Sequence, residues 1–531
     1  MNDRPPGVEP PRTPRHPTLF EPLTLLVGAA LAVLGTVIGL ELLTRVGITP
    51  NSSIIGAIVA MAIARIPLTA LASFRDPARQ NLMQTVISGA TFGAANALLL
   101  PIGVIWLIGR ADLVPVMLIG ATLGLLIDAL MLYRVFDSSV YPATGSWPSG
   151  VATAEVLIAG DQGGSRARLL GLGAGAGALG QWFGIPMDVF GVCWIGNVWA
   201  LALFGAGLLA RAYAPLLGLD LNQMYVPHGF MIGAGLVALL QIVRAVGRAR
   251  EDSDEREGEG PDAPTRLPRS VAGGFLAFAA AASLIALLAG LPAAMPPAQL
   301  ALFVVFAAVA ALASELIVGI AAMHAGWFPA FATALIFLVL GIQLGFPPLP
   351  LAFLVGFTAS TGPAFADMGY DLKAGWLLRG RGSRPAYERA GRRAQLGAEL
   401  LGFGVAALFV ALTYSRYFSA DLFPPVDRVY LATLQAGADP ALLRALLLWA
   451  LPGAALQWLG GPSRQLGVLF ATGLLILNAA AGWTVCVALA LRVLLLRRFG
   501  SAAESPMYVL AGGLIAGSAL TSFGRGVAGA R

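Results

Sequence analysis

Long apolar runs set the terms for this chain. Stretches of about 20 such residues, enough for a helix rising 1.5 Å per residue to cross a bilayer core, recur between residues 23 and 523. They lack the period-2 alternation of half-buried strands. In lipid every backbone N–H and C=O must be paired within the protein, so these runs predict helices. Of the 531 residues, 57% are hydrophobic and only 12% charged, with a mean hydropathy of +0.78. A soluble domain carries roughly 25% charged residues. The expected fold class is therefore all-α and polytopic, with the lipid bilayer as solvent. The net charge of +6 comes from arginines in the gaps between apolar runs. That pattern is the positive-inside bias of cytoplasmic loops, not a nucleic-acid surface. It predicts a multi-pass protein of the inner (plasma) membrane with a cytoplasmic N-terminus.

The runs fall into two transmembrane halves, residues 22–243 and 271–526. A Pro- and Arg-rich tail, 1–21, precedes them and reads as disordered and cytoplasmic. Between them, 244–270 holds the run Arg-Glu-Asp-Ser-Asp-Glu-Arg-Glu-Gly-Glu and reads as a flexible charged linker. Counting runs gives roughly 14–16 spans. Two segments are too broken to be ordinary spans: 141–161, YPATGSWPSGVATAEVLIAGD, and 358–379, TASTGPAFADMGYDLKAGWLLR. Each joins a Gly/Pro break to a carboxylate. Broken backbone at membrane depth survives only beside protein or a water-filled cavity, and paired breaks in two halves point to a transporter's substrate site. The breaks themselves are Pro148, Ser149, Gly150 and Thr153 in the first half, and Gly362 and Pro363 in the second. A weak repeat links the halves. Gly150-Val-Ala-Thr-Ala-Glu155 resembles Gly362-Pro-Ala-Phe-Ala-Asp367, and Met224-Tyr-Val-x-x-Gly229-x-x-Ile232 resembles Met507-Tyr-Val-x-x-Gly512-x-x-Ile515. The offsets, 212 and 283, require about 70 extra residues in the second half.

Ionisable residues inside a membrane cost about 2.5–3.5 kcal/mol each at a helix centre, so they are candidates for function. Glu155, Asp367 and Asp371 lead, because each sits at a break where helix-end dipoles and free carbonyls can hold a charged substrate or a coupling ion. A half-dry carboxylate can load and release a proton near neutral pH. Lys373, two residues from Asp371, is placed to neutralise it or to bind a peptide carboxylate. The competing reading for all four is a structural ion pair at a helix boundary. Glu315, in mid-run, is a candidate proton relay. Asp128 and Asp188 also lie within or near apolar segments. So does Glu399, which follows Arg392-Arg393 and reads as a structural or interfacial ion pair. Cys193 and Cys486 lie in apolar segments and read as buried small hydrophobes. No catalytic residue set is evident. Three histidines and two distant cysteines make no metal cage, and no Walker motif or other cofactor motif is present, so no cofactor is expected.

Four segments resemble the oligopeptide transporter family. Gln80-Asn-Leu-Met-Gln84-Thr85 is similar to its Q-N-x-x-Q-T segment, and Trp147-Pro-Ser-Gly-Val-Ala-Thr-Ala154 to its Y-P-S-G-T-A-T-A motif. Asp367-Met-Gly-Tyr-Asp371-Leu-Lys373-Ala-Gly-Trp376 is similar to its D-L-M-x-D-F-K-T-G-Y segment, and Ala511-Gly-Gly-Leu-Ile-Ala-Gly517 to its final-helix glycine run. His228 resembles the P-H element before the last helix of the first half, and a histidine there can titrate with transport near pH 6–7. Glu155 after the second motif is closer to bacterial members, related to the yellow-stripe-like branch. The resemblance implies a cation-coupled importer, usually driven by protons, of short peptides or of metal chelates. Val151 and Ala374 depart from the motifs, so the cargo stays open between oligopeptides or peptide-like compounds and siderophore-like metal complexes. An intramembrane enzyme would need a large polar loop, and the longest one here is the low-complexity linker. Paired broken segments favour alternating access over a passive channel.

Overall fold

Helix starts follow the local chemistry. Asp76 accepts from Ala78 N at 3.0 Å, Asn197 from Trp199 N at 3.0 Å and Asn478 from Ala481 N at 2.9 Å, each filling one of the orphan donors of a first turn. Many other helices open on a proline, which needs no N–H partner there. The computed structural model describes residues 15–46, 52–254, 266–326, 330–437 and 440–528. In chain order the helices are α1 (Pro22–Glu41), α2 (Ser52–Ala64), α3 (Pro77–Phe92), α4 (Leu100–Leu107), α5 (Val114–Val135), α6 (Pro148–Gln162), α7 (Gly164–Trp182), α8 (Met187–Ile195), α9 (Val198–Tyr213) and α10 (Val226–Asp254). The second half holds α11 (Arg266–Leu288), α12 (Pro297–Ala325), α13 (Ala330–Gln343), α14 (Pro348–Ser360), α15 (Pro363–Leu378), α16 (Pro385–Ser419), α17 (Pro425–Ala436), α18 (Pro440–Arg464), α19 (Leu466–Leu475), α20 (Ala479–Phe499) and α21 (Glu504–Ala528). No strand occurs among the described residues, only one isolated bridge between Phe136 and Tyr141.

Nine spans among the described residues are long and apolar enough to cross a membrane, and four shorter apolar helices accompany them. The protein is an all-α polytopic membrane protein. The stretch expected as a linker is helical at both ends, because α10 runs on to Asp254 and α11 begins at Arg266; residues 255–265 lie outside the described residues, as does most of the N-terminal tail. Cys193 is buried as expected, but Cys486 is exposed on α20, facing outward where apolar surface meets lipid rather than core.

Glycine stripes bring helices of the two halves together. The glycine stripe of α7 (Gly173, Gly177) lies against that of α21 (Gly513, Gly517), so close that a Cβ at any of the four would strike the facing backbone. The same holds between α10 (Gly233) and α18 (Gly453), and between α9 (Gly207) and α19 (Gly473). Small residues let membrane helices approach in this way. The pairs are crosswise: α10 and α21 share the Met-Tyr-Val motif, and each packs on a helix from the other half. Their partners also match, since Ala174-x-x-Gly177-Ala178-x-x-Gln181-Trp182 on α7 parallels Ala450-x-x-Gly453-Ala454-x-x-Gln457-Trp458 on α18. Helices α16 and α17 fall between α15 and α18, whereas α7 follows α6 directly.

Candidate functional site

The two broken segments meet. Gly150 of α6 lies against the Tyr370 carbonyl and the Lys373 side chain of α15, and Gly369 lies under the Trp147 ring. Before α6 the chain turns through Trp147, held at φ 37° and ψ 62°. This left-handed conformation is costly for a large side chain. Its surroundings fix it: Trp147 N donates to Met323 O at 2.8 Å, its indole Nε1 to Pro142 O at 3.0 Å, and the ring is fully buried. Before α15 the break is at Gly362, with φ +101°.

Two carboxylates of α15 and one of α16 form a buried cluster. Asp367, Asp371 and Glu399 each present an oxygen within 4.8 Å of the others. Ser88 Oγ lies 2.9 Å from both oxygens of Asp367, and Ser52 Oγ lies 3.1 Å from Oδ1. Asp371 Oδ1 accepts from Ser53 Oγ at 2.8 Å and from Gln84 Nε2 at 2.5 Å. Asp371 Oδ2 and both oxygens of Glu399 have no hydrogen-bond partner among the described residues. Gly89 makes room for Glu399, since a Cβ there would strike Oε2. The donors come from α2 and α3, so four helices build the pocket: α2, α3, α15 and α16. An all-oxygen donor set of this kind can hold protons or a hard cation.

Beyond Asp371 a polar network closes this end of α15. Gln395 Nε2 donates to Asp371 O at 2.6 Å, and Arg379 donates to Gln395 Oε1 at 2.8 Å. Arg379 also grips Glu388 through two bonds, at 2.8 and 3.0 Å. Arg392 joins Glu388 at 3.0 Å and Asp137 at 3.1 Å. The Arg392 side chain therefore does not serve Glu399, which lies wholly buried in the carboxylate cluster; the ion-pair reading of Glu399 is corrected.

The other sequence candidates lie elsewhere. Lys373 neither pairs with Asp371 nor stands free: Nζ donates to Ala143 O at 2.7 Å and Gly145 O at 2.8 Å, and lies 4.8 Å from the centre of the Trp376 ring. It clamps the turn that leads into α6. Glu155 is ion-paired to Arg166 at 2.5 Å and does not join the cluster. His228, in the first turn of α10, stacks edge-on with Tyr225 at 6.0 Å, and its Nδ1 has no partner among the described residues. Thr153 donates to Ser149 O within α6. Asp128 accepts from Gly362 N at the second break, and Ser314, the neighbour of Glu315 on α12, donates to the adjacent Thr361 O at 3.2 Å. Ser52, Ser53, Gln84, Ser88 and Glu399 were missed as site residues. Gln84 carried a signal, because it stands in the family-like Gln80–Thr85 segment; the serines carried none.

The family model described as OPT oligopeptide transporter protein matches residues 22–246 and 238–527 of the chain. No curated protein matches it.

Proposed function

This chain belongs to the oligopeptide transporter family, and from that premise we propose that it is a secondary active transporter coupling proton entry to the uptake of short oligopeptides or peptide-like compounds. The observation that carries this reading is the Asp367–Asp371–Glu399 cluster. Its partners are hydroxyls and an amide, all neutral. Three full negative charges in one dry pocket would repel strongly and lose their hydration, so protons neutralise part of the set. A carrier whose pocket opens alternately to the two sides would load those protons on one side and release them on the other. The breaks at Trp147 and Gly362 place two buried helix ends beside each other, where a carrier that opens can present them to the cargo. The arginine-rich gaps support a cytoplasmic N-terminus in the inner membrane, and Glu155 after the Trp147–Ala154 motif supports a place among the bacterial members of the family.

A second reading is import of a metal–chelate complex, favoured by the all-oxygen donor set that can also take a hard cation. Purified protein in liposomes under an imposed proton gradient distinguishes the two. Labelled di- to hexapeptides should accumulate against their own gradient, and Asp367→Asn should abolish that accumulation. Glu155→Gln, which alters an ion pair outside the cluster, should retain it. Uptake that requires a metal chelate, with no peptide accumulation, would overturn the peptide reading.

A further inference from the structure

A second pair of carboxylates lies at the opening of α15, about 7.5 Å along the helix from Asp367 at 1.5 Å per residue. Asp128 of α5 and Glu315 of α12 are both wholly buried. Asp128 Oδ2 accepts from Gly362 N at 2.5 Å. It thereby caps the N-terminus of α15, where the helix dipole favours an anion. Its other oxygen and both oxygens of Glu315 have no hydrogen-bond partner among the described residues.

The groups facing Glu315 are few. Ser314, its neighbour on α12, donates to Thr361 O at 3.2 Å, one residue from the Gly362 N–H that Asp128 holds, and Tyr141 gives its hydroxyl to Leu316 O at 3.0 Å. From α15, Asp367 and Asp371 face the serines of α2 and α3, Lys373 faces the 143–145 turn and Tyr370 faces Trp147. From α6, Glu155 is held by Arg166, and on α10 His228 lies beside Tyr225. α11 brings Arg266 and Arg269 only at its start, and α9 brings Arg211 and Tyr213 only at its far end. α13, α14 and α19 carry no titratable residue.

Asp128 therefore has a fixed backbone donor that suits its ionised form. Glu315 has none, and an unpartnered buried charge is strongly disfavoured. We infer that the Asp128–Glu315 pair is a second proton site of the carrier, holding one proton on Glu315 while the Gly362 N–H is docked on Asp128. The inference rests on the symport reading. Movement of α15 about Gly362 withdraws the donor from Asp128 and opens the pair to water, so proton occupancy follows the position of the break. The pair adds one proton per cycle to those carried by the Asp367 cluster.

The test has two arms, both on the full-length protein in lipid. Difference infrared spectra should show a protonated-carboxyl stretch at neutral pH that Glu315→Gln removes. Asp367→Asn should leave that same signal in place. In proteoliposomes, the reversal potential should be measured with whichever labelled di- to hexapeptide the wild type accumulates. The proton-to-peptide ratio should drop by one in Glu315→Gln and in Asp128→Asn, with proton drive retained. An unchanged spectrum in Glu315→Gln, or an unchanged ratio in both variants under a driven wild type, overturns the second site alone. A wild type with no proton drive overturns the symport reading and this inference with it.

Discussion

Lys373 and Asp371 are two residues apart in sequence, yet they serve opposite sides of α15. Two steps along an α-helix turn a side chain through about 200°, so sequence neighbours of this kind face apart. The Lys373 ammonium closes instead on the carbonyls of Ala143 and Gly145. Hydrogen bonds to charged groups contribute about 1.5–3 kcal/mol each. Lys373→Met, which keeps most of the apolar stem and loses both bonds, should lower the unfolding temperature of the purified protein in detergent and loosen the turn before α6. An unshifted thermal transition would refute the clamp. Asp367 and Asp371 were legible as site residues because they combine charge, apolar context and a break. Glu399 was not. Its nearest sequence neighbours of opposite charge, Arg392 and Arg393, suggested a salt bridge, whereas its spatial neighbour Asp371 lies 28 positions upstream, a relation that only tertiary packing creates.

At the level of elements, the break between α14 and α15 depends on one residue type. Gly362 has φ +101°, and a Cβ there would come within 2.9–3.1 Å of the Val318 side chain. A side chain at that position meets both backbone strain and crowding, each costing on the order of 1–3 kcal/mol. Gly362→Ala should therefore destabilise the protein by about 2–6 kcal/mol in a thermal melt, the two costs together, and should depress transport beyond its loss of folded protein. Transport per folded molecule equal to wild type would show that the break tolerates a side chain. Both breaks were readable from the sequence because Gly and Pro punctuate an otherwise continuous apolar pattern. The left-handed turn at Trp147 was not, because tryptophan has no preference for that conformation; buried contacts to Met323 and Pro142 impose it.

For the molecule as a whole, the crosswise pairing of halves is the governing feature. α7 finds its closest partner in α21, and α10 finds its own in α18. Neither half can complete its packing alone. Residues 1–258 and 259–531 expressed as separate chains should co-purify and restore uptake in proteoliposomes, while either piece alone should aggregate or be degraded. Independent stability of the first piece would contradict the interlock. The resemblance between the halves was readable in two short motifs, but the match between α7 and α18 was hidden, because glycine-rich and leucine-rich stripes look alike wherever helices pack in lipid. The pairing also bears on how the protein is made. Synthesis runs from the N-terminus, so α7 enters the bilayer long before α21 leaves the ribosome. Throughout that interval its glycine stripe has only lipid, or some assisting factor, to cover it. Helix α21 is thus a latch of biogenesis: a chain that stops before Glu504 is left open at its first half, and quality control can recognise it there.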